Sequence, residues 1–396
     1  MSKVKLSEIT SIITKGTTPT TIGFSFQEQG INFLKVESIA ESGEFLSNKF
    51  QYISDECNMK LKRSILMEND ILFSIAGALG RTAIVKKEIL PANTNQALAI
   101  IRLSNEESYT KYIHYALKSV SIFKQFQKQQ QGVAQLNLSL KNIGELEIPH
   151  PPLEIQKQIA KTLDTATELL AMRKQQLAEL DNLIKSTFYD MFGDPIKNER
   201  VWECLSIEKT IKVIEAGWSV DGIKKIKGKD DKAVLKVSAV TSGFFRETEY
   251  KVLDKDLNIK KYVFPHKNDL LFSRANTKEL VGATCIIFED YPDLLLPDKL
   301  WRIEFNSLAN VIYMKYVLSD KSIRSSLSNN STGTSGSMYN ISMGKLKSTI
   351  VPLPPLALQN QFAEIVTKIE EQKTLVKKAI DETQYLFDSL MSEYFD

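Results

Sequence analysis

The chain has 396 residues, enough for two or three domains, and its 43% hydrophobic and 25% charged residues with a mean hydropathy of -0.18 exclude a disordered, collagenous or membrane-embedded polymer. The 51 basic and 48 acidic residues leave a net charge of +3, which neither demands nor excludes a polyanionic partner. No apolar stretch approaches the roughly 18 residues needed to span a bilayer, and the start MSKVKLSEITSIITKG lacks the apolar core of a signal peptide, so a cytoplasmic protein with no membrane contact is expected. Cys57, Cys204 and Cys285 stand singly, which predicts reduced, buried thiols rather than disulfides or a zinc site.

In chain order, the first elements are short apolar runs rich in β-branched or aromatic residues, NDILFSIAG (69–77) and ALAIIRL (97–103), which read as strands. A helical pattern over 109–127 follows, then a polar loop, QKQQQGVAQLN (127–137). The proline pair at Pro151-Pro152 ends a β-like segment sharply, because proline lacks an N–H and biases its predecessor away from the helix. From Ile159 to Met191 apolar residues recur four and three apart, interrupted only by Arg173 and Thr187. This is the 3.5-residue seam of a coiled coil in a helix roughly 55 Å long.

The whole series then returns. IPHPPLEIQKQIA from Ile148 reappears 203 residues later as VPLPPLALQNQFA from Val351, with seven of 13 positions identical. Further back, Leu34-Lys35-Val36 matches Leu235-Lys236-Val237, Asp70 to Ser74 matches Asp269 to Ser273, and Gln135 to Ser139 matches Met338 to Ser342; Leu6-Ser7 pairs with Leu205-Ser206. NDLLFSR (268–274) and GATCIIF (282–288) read as strands, 309–327 as a helix, SNNSTGTSGSMYN (328–340) as the second polar loop, and Phe362 to Tyr394 as a second seam broken by Lys373 and Thr383. The expected fold is α+β: two tandem α+β domains at 1–150 and 194–350, each followed by a long helix at 151–193 and 351–396. Paired antiparallel as a coiled coil, the helices would give a pseudo-two-fold dumbbell.

Catalytic signatures are missing. The stretch from Gly222 to Lys229 has one residue too many between its glycines for a phosphate-binding loop, no G-x-S-x-G occurs, and His114, His150 and His266 lie far apart without H-E-x-x-H spacing. His150-Pro-Pro-Leu153 and Leu353-Pro-Pro-Leu356 lack the amide or carboxylate and the aromatic that an amino-methyltransferase uses to hold a flipped base. What remains is a binding surface: Lys224, Lys225, Lys227, Lys229 and Lys232 in one run, and Arg63, Arg81, Lys86, Lys87, Lys118, Lys124 and Lys128 among glutamines and aromatics. Such residues supply phosphate contacts and amide bonds to base edges, or simply a solvated polar face.

Two variable domains, each passing through N-D-[IL]-L-F-S and closing with N-[LI]-S and P-x-P-P-L-x-x-Q before a long helix, resemble the specificity subunit of type I restriction-modification systems. The first copy lacks the tryptophan at Trp202, and Gln131-Gly132-x-x-Gln135 has no counterpart in the second loop. The resemblance implies a non-catalytic subunit, with each head reading one half of a split double-stranded DNA site and the helices setting the spacing. Its partners would be two modification subunits, which bind S-adenosylmethionine and methylate adenine, and a translocating restriction subunit; no cofactor is expected on this chain. Readout is expected from Arg81, Gln131, Gln135 and Asn137 in the first head and Arg274, Asn276, Lys278, Ser335 and Ser337 in the second, with no catalytic or metal-binding residues. The alternatives are a scaffold whose heads bind proteins and a self-contained adenine DNA methyltransferase.

Overall fold

A computed structural model describes residues 2–104, 106–129, 138–254, 257, 259–328 and 339–396. They form two compact units, Met1–Gln175 with Lys377–Asp396, and Gln176–Val376. Each unit holds one copy of the repeat's globular part together with a stretch of both long helices, Leu153–Phe192 and Leu356–Phe395, each 40 residues in one uninterrupted run and so about 60 Å long. Among the described residues no helix is long and apolar enough to cross a membrane.

In the first unit a four-stranded antiparallel sheet runs in the order Thr10–Lys15, Leu98–Leu103, Ile71–Ser74, Thr82–Ile84. A three-stranded sheet orders Gln51–Ile53, Ile31–Leu34 and Ala92–Thr94, the last pair parallel. The second unit repeats both sheets with Ile211–Ala216, Leu300–Phe305, Leu270–Ser273 and Thr284–Ile286, and with Tyr250–Val252, Ala233–Leu235 and Leu294–Leu295. The unbroken apolar run of each central strand has a direct cause: successive side chains point to opposite faces, and both faces are covered. Ile71 and Phe73 enter the core against the helices while Leu72 enters the core against the small sheet; Leu270, Phe272 and Leu271 do the same.

The Asn-Asp that opens these strands is a structural device. Asn69 and Asn268 both take φ 68°, a left-handed conformation that asparagine tolerates better than most residues. The next residue, Asp70 or Asp269, is buried and grips an arginine of the neighbouring strand through two bonds. Arg102 reaches Asp70 at 2.7 and 2.7 Å, and Arg302 reaches Asp269 at 2.8 and 2.8 Å. The same carboxylates accept the backbone N–H of Met67 and His266, each at 2.7 Å.

The helix starts are anchored alike. Gln156 and Gln359 are fully buried. The Gln156 amide donates to the carbonyls of Pro151 and Glu107 at 2.8 and 3.0 Å and accepts from the Tyr109 N–H at 2.9 Å. Gln359 donates to Pro354 and Leu308 at 2.8 and 3.1 Å and accepts from Asn310 at 2.8 Å. Tyr112 and Tyr313 donate their hydroxyls to the Pro149 and Pro352 carbonyls. The P-x-P-P-L-x-x-Q motif therefore joins each helix to the head that precedes it.

The two long helices run antiparallel within each unit. In the second, Asp181 meets Lys373 and Phe188 meets Phe362, so one number falls as the other rises. The polar breaks in the seams have partners: Arg173 bonds the Thr383 hydroxyl and the Ala379 carbonyl, and Lys373, only 2% exposed, lies between Asp181 at 2.6 Å and Glu370 at 2.8 Å.

Three sequence expectations need correction. The helices at 109–127 and 309–327 each break in two, Thr110–Leu117 and Val120–Gln129, then Val311–Ser319 and Lys321–Ser328. At the break Asp320 accepts the N–H groups of Ser322 and Ile323, and Ser119 accepts that of Ile122; such side-chain bonds start a new helix. The opening match is offset by two residues: Leu6 corresponds to Ile207, since their N–H groups bond Leu146 and Thr349 at 2.8 and 2.9 Å on strands paired in the same register. Cys204 is exposed, because it sits on a two-stranded edge; Cys57 and Cys285 are buried, and all three are free thiols. In the lysine run at 224–232, Lys225 lies near Asp231, Lys227 pairs with Asp293 and Lys232 lies over the Tyr262 ring.

Candidate nucleic-acid interface

In both units the chain turns away from the central strand at Ser74 or Ser273, and the first residues after the polar loop lie beside that point. Leu138 N–H bonds the Ile75 carbonyl at 3.0 Å, and Ile341 N–H bonds the Arg274 carbonyl at 2.8 Å. The frame at the base of these loops is thus shared, whereas the side chains it carries differ. Gln131, Gln135, Asn137, Ser335 and Ser337 lie outside the described residues.

Three of the residues expected in the second head lie among the described ones. Arg274 is half-buried and donates to the Asp298 carbonyl and carboxylate, each at 2.8 Å. Burial opposes ionisation of Asp298, but the Ser219 hydroxyl and Arg274 outweigh it and hold the carboxyl below its ordinary range. Asn276 lies on Ala275–Asn276, a short strand paired with Tyr339–Asn340, and its side chain accepts the Thr277 N–H at 2.8 Å. Lys278 follows on the exposed turn.

Arg81 is not the counterpart of Arg274. By backbone bonding Arg274 corresponds to Ile75, each donating across the strand end, to Lys299 and Ala97. Arg81 faces Ser74 from the return arm, the place that Ala283 holds opposite Ser273. Its guanidinium bonds the Ile39 carbonyl at 3.1 Å and lies 3.9 Å from the exposed Glu41. With Lys118, Thr82, Ser119, Phe123 and Phe126 it lines a cleft of about 430 Å³.

Two features escaped the sequence reading. Lys260 lies over the Trp218 ring at 5.6 Å and Lys232 over Tyr262 at 4.7 Å, giving the second head a surface of alternating rings and cations. Thr82 and Lys118 share the Arg81 cleft although they lie 36 residues apart on a strand edge and a helix end. Only the pairing of that helix with the sheet brings them together. Among the described residues no three His, Cys, Asp or Glu side chains gather as a metal site.

The sequence profile of the type I restriction modification DNA specificity domain matches the chain twice, over residues 1–182 and 209–384. The chain belongs to this family. Among its relatives, the EcoKI specificity subunit of Escherichia coli strain K12 is 25% identical over 401 residues, covering 94% of this chain and 83% of that protein. The EcoEI specificity subunit of E. coli is 30% identical over 174 residues, 43% of this chain and 28% of that protein, so the matched stretch spans under a third of its length. A chain solved in work on complex assembly and conformational transition of the type I R-M system superposes with a TM-score of 0.64 at 14% identity, covering 99% of this chain and 97% of that one. The profile matches this chain twice, and each copy has its own sheets, helix start and loop base.

Proposed function

We propose that this chain is the DNA-specificity subunit of a type I restriction-modification complex, in which each head reads one half of a bipartite double-stranded site. The observation that carries the reading is a shared frame under unlike loops. The Asp–Arg grips, the buried glutamines and the loop bases recur in both units, while the side chains above them do not. A duplicated reader of two different half-sites requires that division. Arg81, Arg274, Asn276 and Lys278 belong to the DNA interface, and the sequence assigns Gln131, Gln135, Asn137, Ser335 and Ser337 to it as well.

The chain itself performs no chemistry and holds no cofactor. Two modification subunits dock on it and supply S-adenosylmethionine-dependent adenine methylation, a restriction and translocation subunit joins that core, the long helices set the spacing of the half-sites, and the complex works in the cytoplasm. The test is the methylated-adenine pattern of genomic DNA from cells with and without this chain. A two-part motif present only with the chain supports the proposal; an unchanged pattern beside an active modification subunit refutes it. Methyl transfer by the purified chain alone would favour the self-contained enzyme instead.

A further inference from the structure

The first unit contains a cleft whose chemistry the second lacks. It is walled by Leu79, Leu117 and the rings of Phe123 and Phe126, and its polar side carries Arg81, Lys118 and Thr82. Thr82 is 1% exposed and its hydroxyl has no hydrogen-bond partner among the described residues. Such a group costs about 1–3 kcal/mol when left unmatched, and here it is sealed beneath the cleft. Both cations are held from one side only, Arg81 by the Ile39 carbonyl and Lys118 by the Ser42 carbonyl at 3.2 Å. The remaining N–H donors of each are unspent by these bonds. The sole carboxylate among the residues lining the cleft is Glu41, 3.9 Å from Arg81 and 92% exposed, where solvent screens it.

The second unit shows the same place closed. Thr284 stands where Thr82 does, and its hydroxyl bonds Ser319 at 2.9 Å. Ser319 occupies the position of Lys118, and Ala283 that of Arg81. One repeat therefore satisfies its threonine internally, and the other sets two cations at a cleft over an unmatched one.

We infer that the cleft of Arg81 and Lys118, which lies over Thr82, binds a phosphate group of the DNA backbone, the two cations holding the oxyanion and the exposed Phe123 ring lying against the deoxyribose. This rests on the DNA-reading function proposed above and refines it, since Arg81 then positions the duplex instead of reading a base. Burial pushes the Lys118 ammonium below its ordinary range, and an anion at hydrogen-bond distance would favour its charged form.

The test uses the full chain and a random-sequence duplex titrated at several salt concentrations. The variant Arg81→Ala with Lys118→Ser copies the second unit's arrangement, where Thr284 and Ser319 pair, and so preserves packing. It should weaken binding uniformly across sequences and lower the slope of log K against log salt by about 0.9, the release expected for one phosphate. Arg81→Lys keeps the charge and should retain the wild-type slope. Inorganic phosphate, titrated separately at constant ionic strength, distinguishes the source of the phosphate: binding of free phosphate lost in the double variant, with the DNA slope unchanged, overturns the assignment to DNA. An unchanged slope without phosphate binding overturns the site. Relaxed preference at one base position, found by selection from a duplex library, shows that Arg81 reads sequence and also overturns it. If the wild-type chain binds no duplex at all, the DNA-reading function falls, and that failure is distinct from the others.

Discussion

Replacing Gln359 by leucine tests whether the glutamine of P-x-P-P-L-x-x-Q joins helix to head. Leucine fills a similar volume but removes three hydrogen bonds at once, two donated to the Pro354 and Leu308 carbonyls and one accepted from the Asn310 N–H. Gln359 is 0% exposed, so water cannot take the place of its amide without opening the junction. Three bonds at a net 0.5–1.5 kcal/mol each give a loss of roughly 2–4 kcal/mol for the second unit. With a urea slope of about 2–3 kcal/mol per molar, the midpoint falls by roughly 1–2 M. The assay is built into the sequence: Trp202, Trp218 and Trp301 all lie in the second unit, so intrinsic fluorescence follows that unit. Gln156→Leu makes the matching cut in the first unit and should move the far-ultraviolet circular dichroism transition more than the tryptophan one. A Gln359→Leu midpoint within about 0.2 M of wild type would refute the reasoning, because it would mean that the junction holds without its amide.

Arg102→Met should destabilise the first unit by about 3–5 kcal/mol, since it leaves the buried Asp70 carboxylate without its paired donors. Adding Asp70→Asn, which keeps an acceptor for the Met67 N–H, should recover most of that in thermal unfolding; no recovery would mean the charge was not the cost. Burial, with Lys118 nearby, holds His114 at about 3 against an ordinary 6.5. Below pH 6.5 the unfolded chain takes a proton that the folded one refuses, so stability falls with pH by about 1.4 kcal/mol per unit until the folded value is reached. His114→Gln should flatten this limb in urea titrations at pH 7 and 4.5, and parallel losses in both proteins would exclude His114 as its source. Arg274→Ala should relax one position of one half-site by about 1–3 kcal/mol, read from the methylated motif, and leave the other half-site unchanged.

The strands, the long helices and the duplication were legible because each rests on a period or a short motif that the chain states locally: two-residue burial, the 3.5-residue seam, the proline pair. What was not legible depends on partners brought in by the fold. Asp70 looks like the start of a strand until Arg102, 32 residues on, is seen in the neighbouring strand. Gln156 reads as a helical surface residue until Glu107 and Tyr109 fold over it. Lys227 reads as one lysine of a run until Asp293 is set beside it by the small parallel strand pair. Arg81 and Arg274 both follow the end of a shared strand, yet they stand at different points of hairpins that differ in length, and backbone bonding places Arg81 where Ala283 stands in the second unit.

The residues that recur in both repeats and the residues that differ divide along a physical line. Recurrence falls where a buried group must be matched exactly once: the Asp–Arg grip, the glutamine at the helix start, the tyrosine hydroxyl on the proline carbonyl. A change there leaves a buried polar group unpaired, and the cost of that does not depend on which DNA is bound. Difference falls where the first unit's side chains line a cleft, at Arg81 against Ala283 and Lys118 against Ser319. At those places a change costs the fold little, provided a group such as Thr284 finds a new partner. A duplicated head can therefore acquire a different surface without acquiring a different fold, and the asymmetry of the Arg81 cleft is the form that this freedom takes in the first unit.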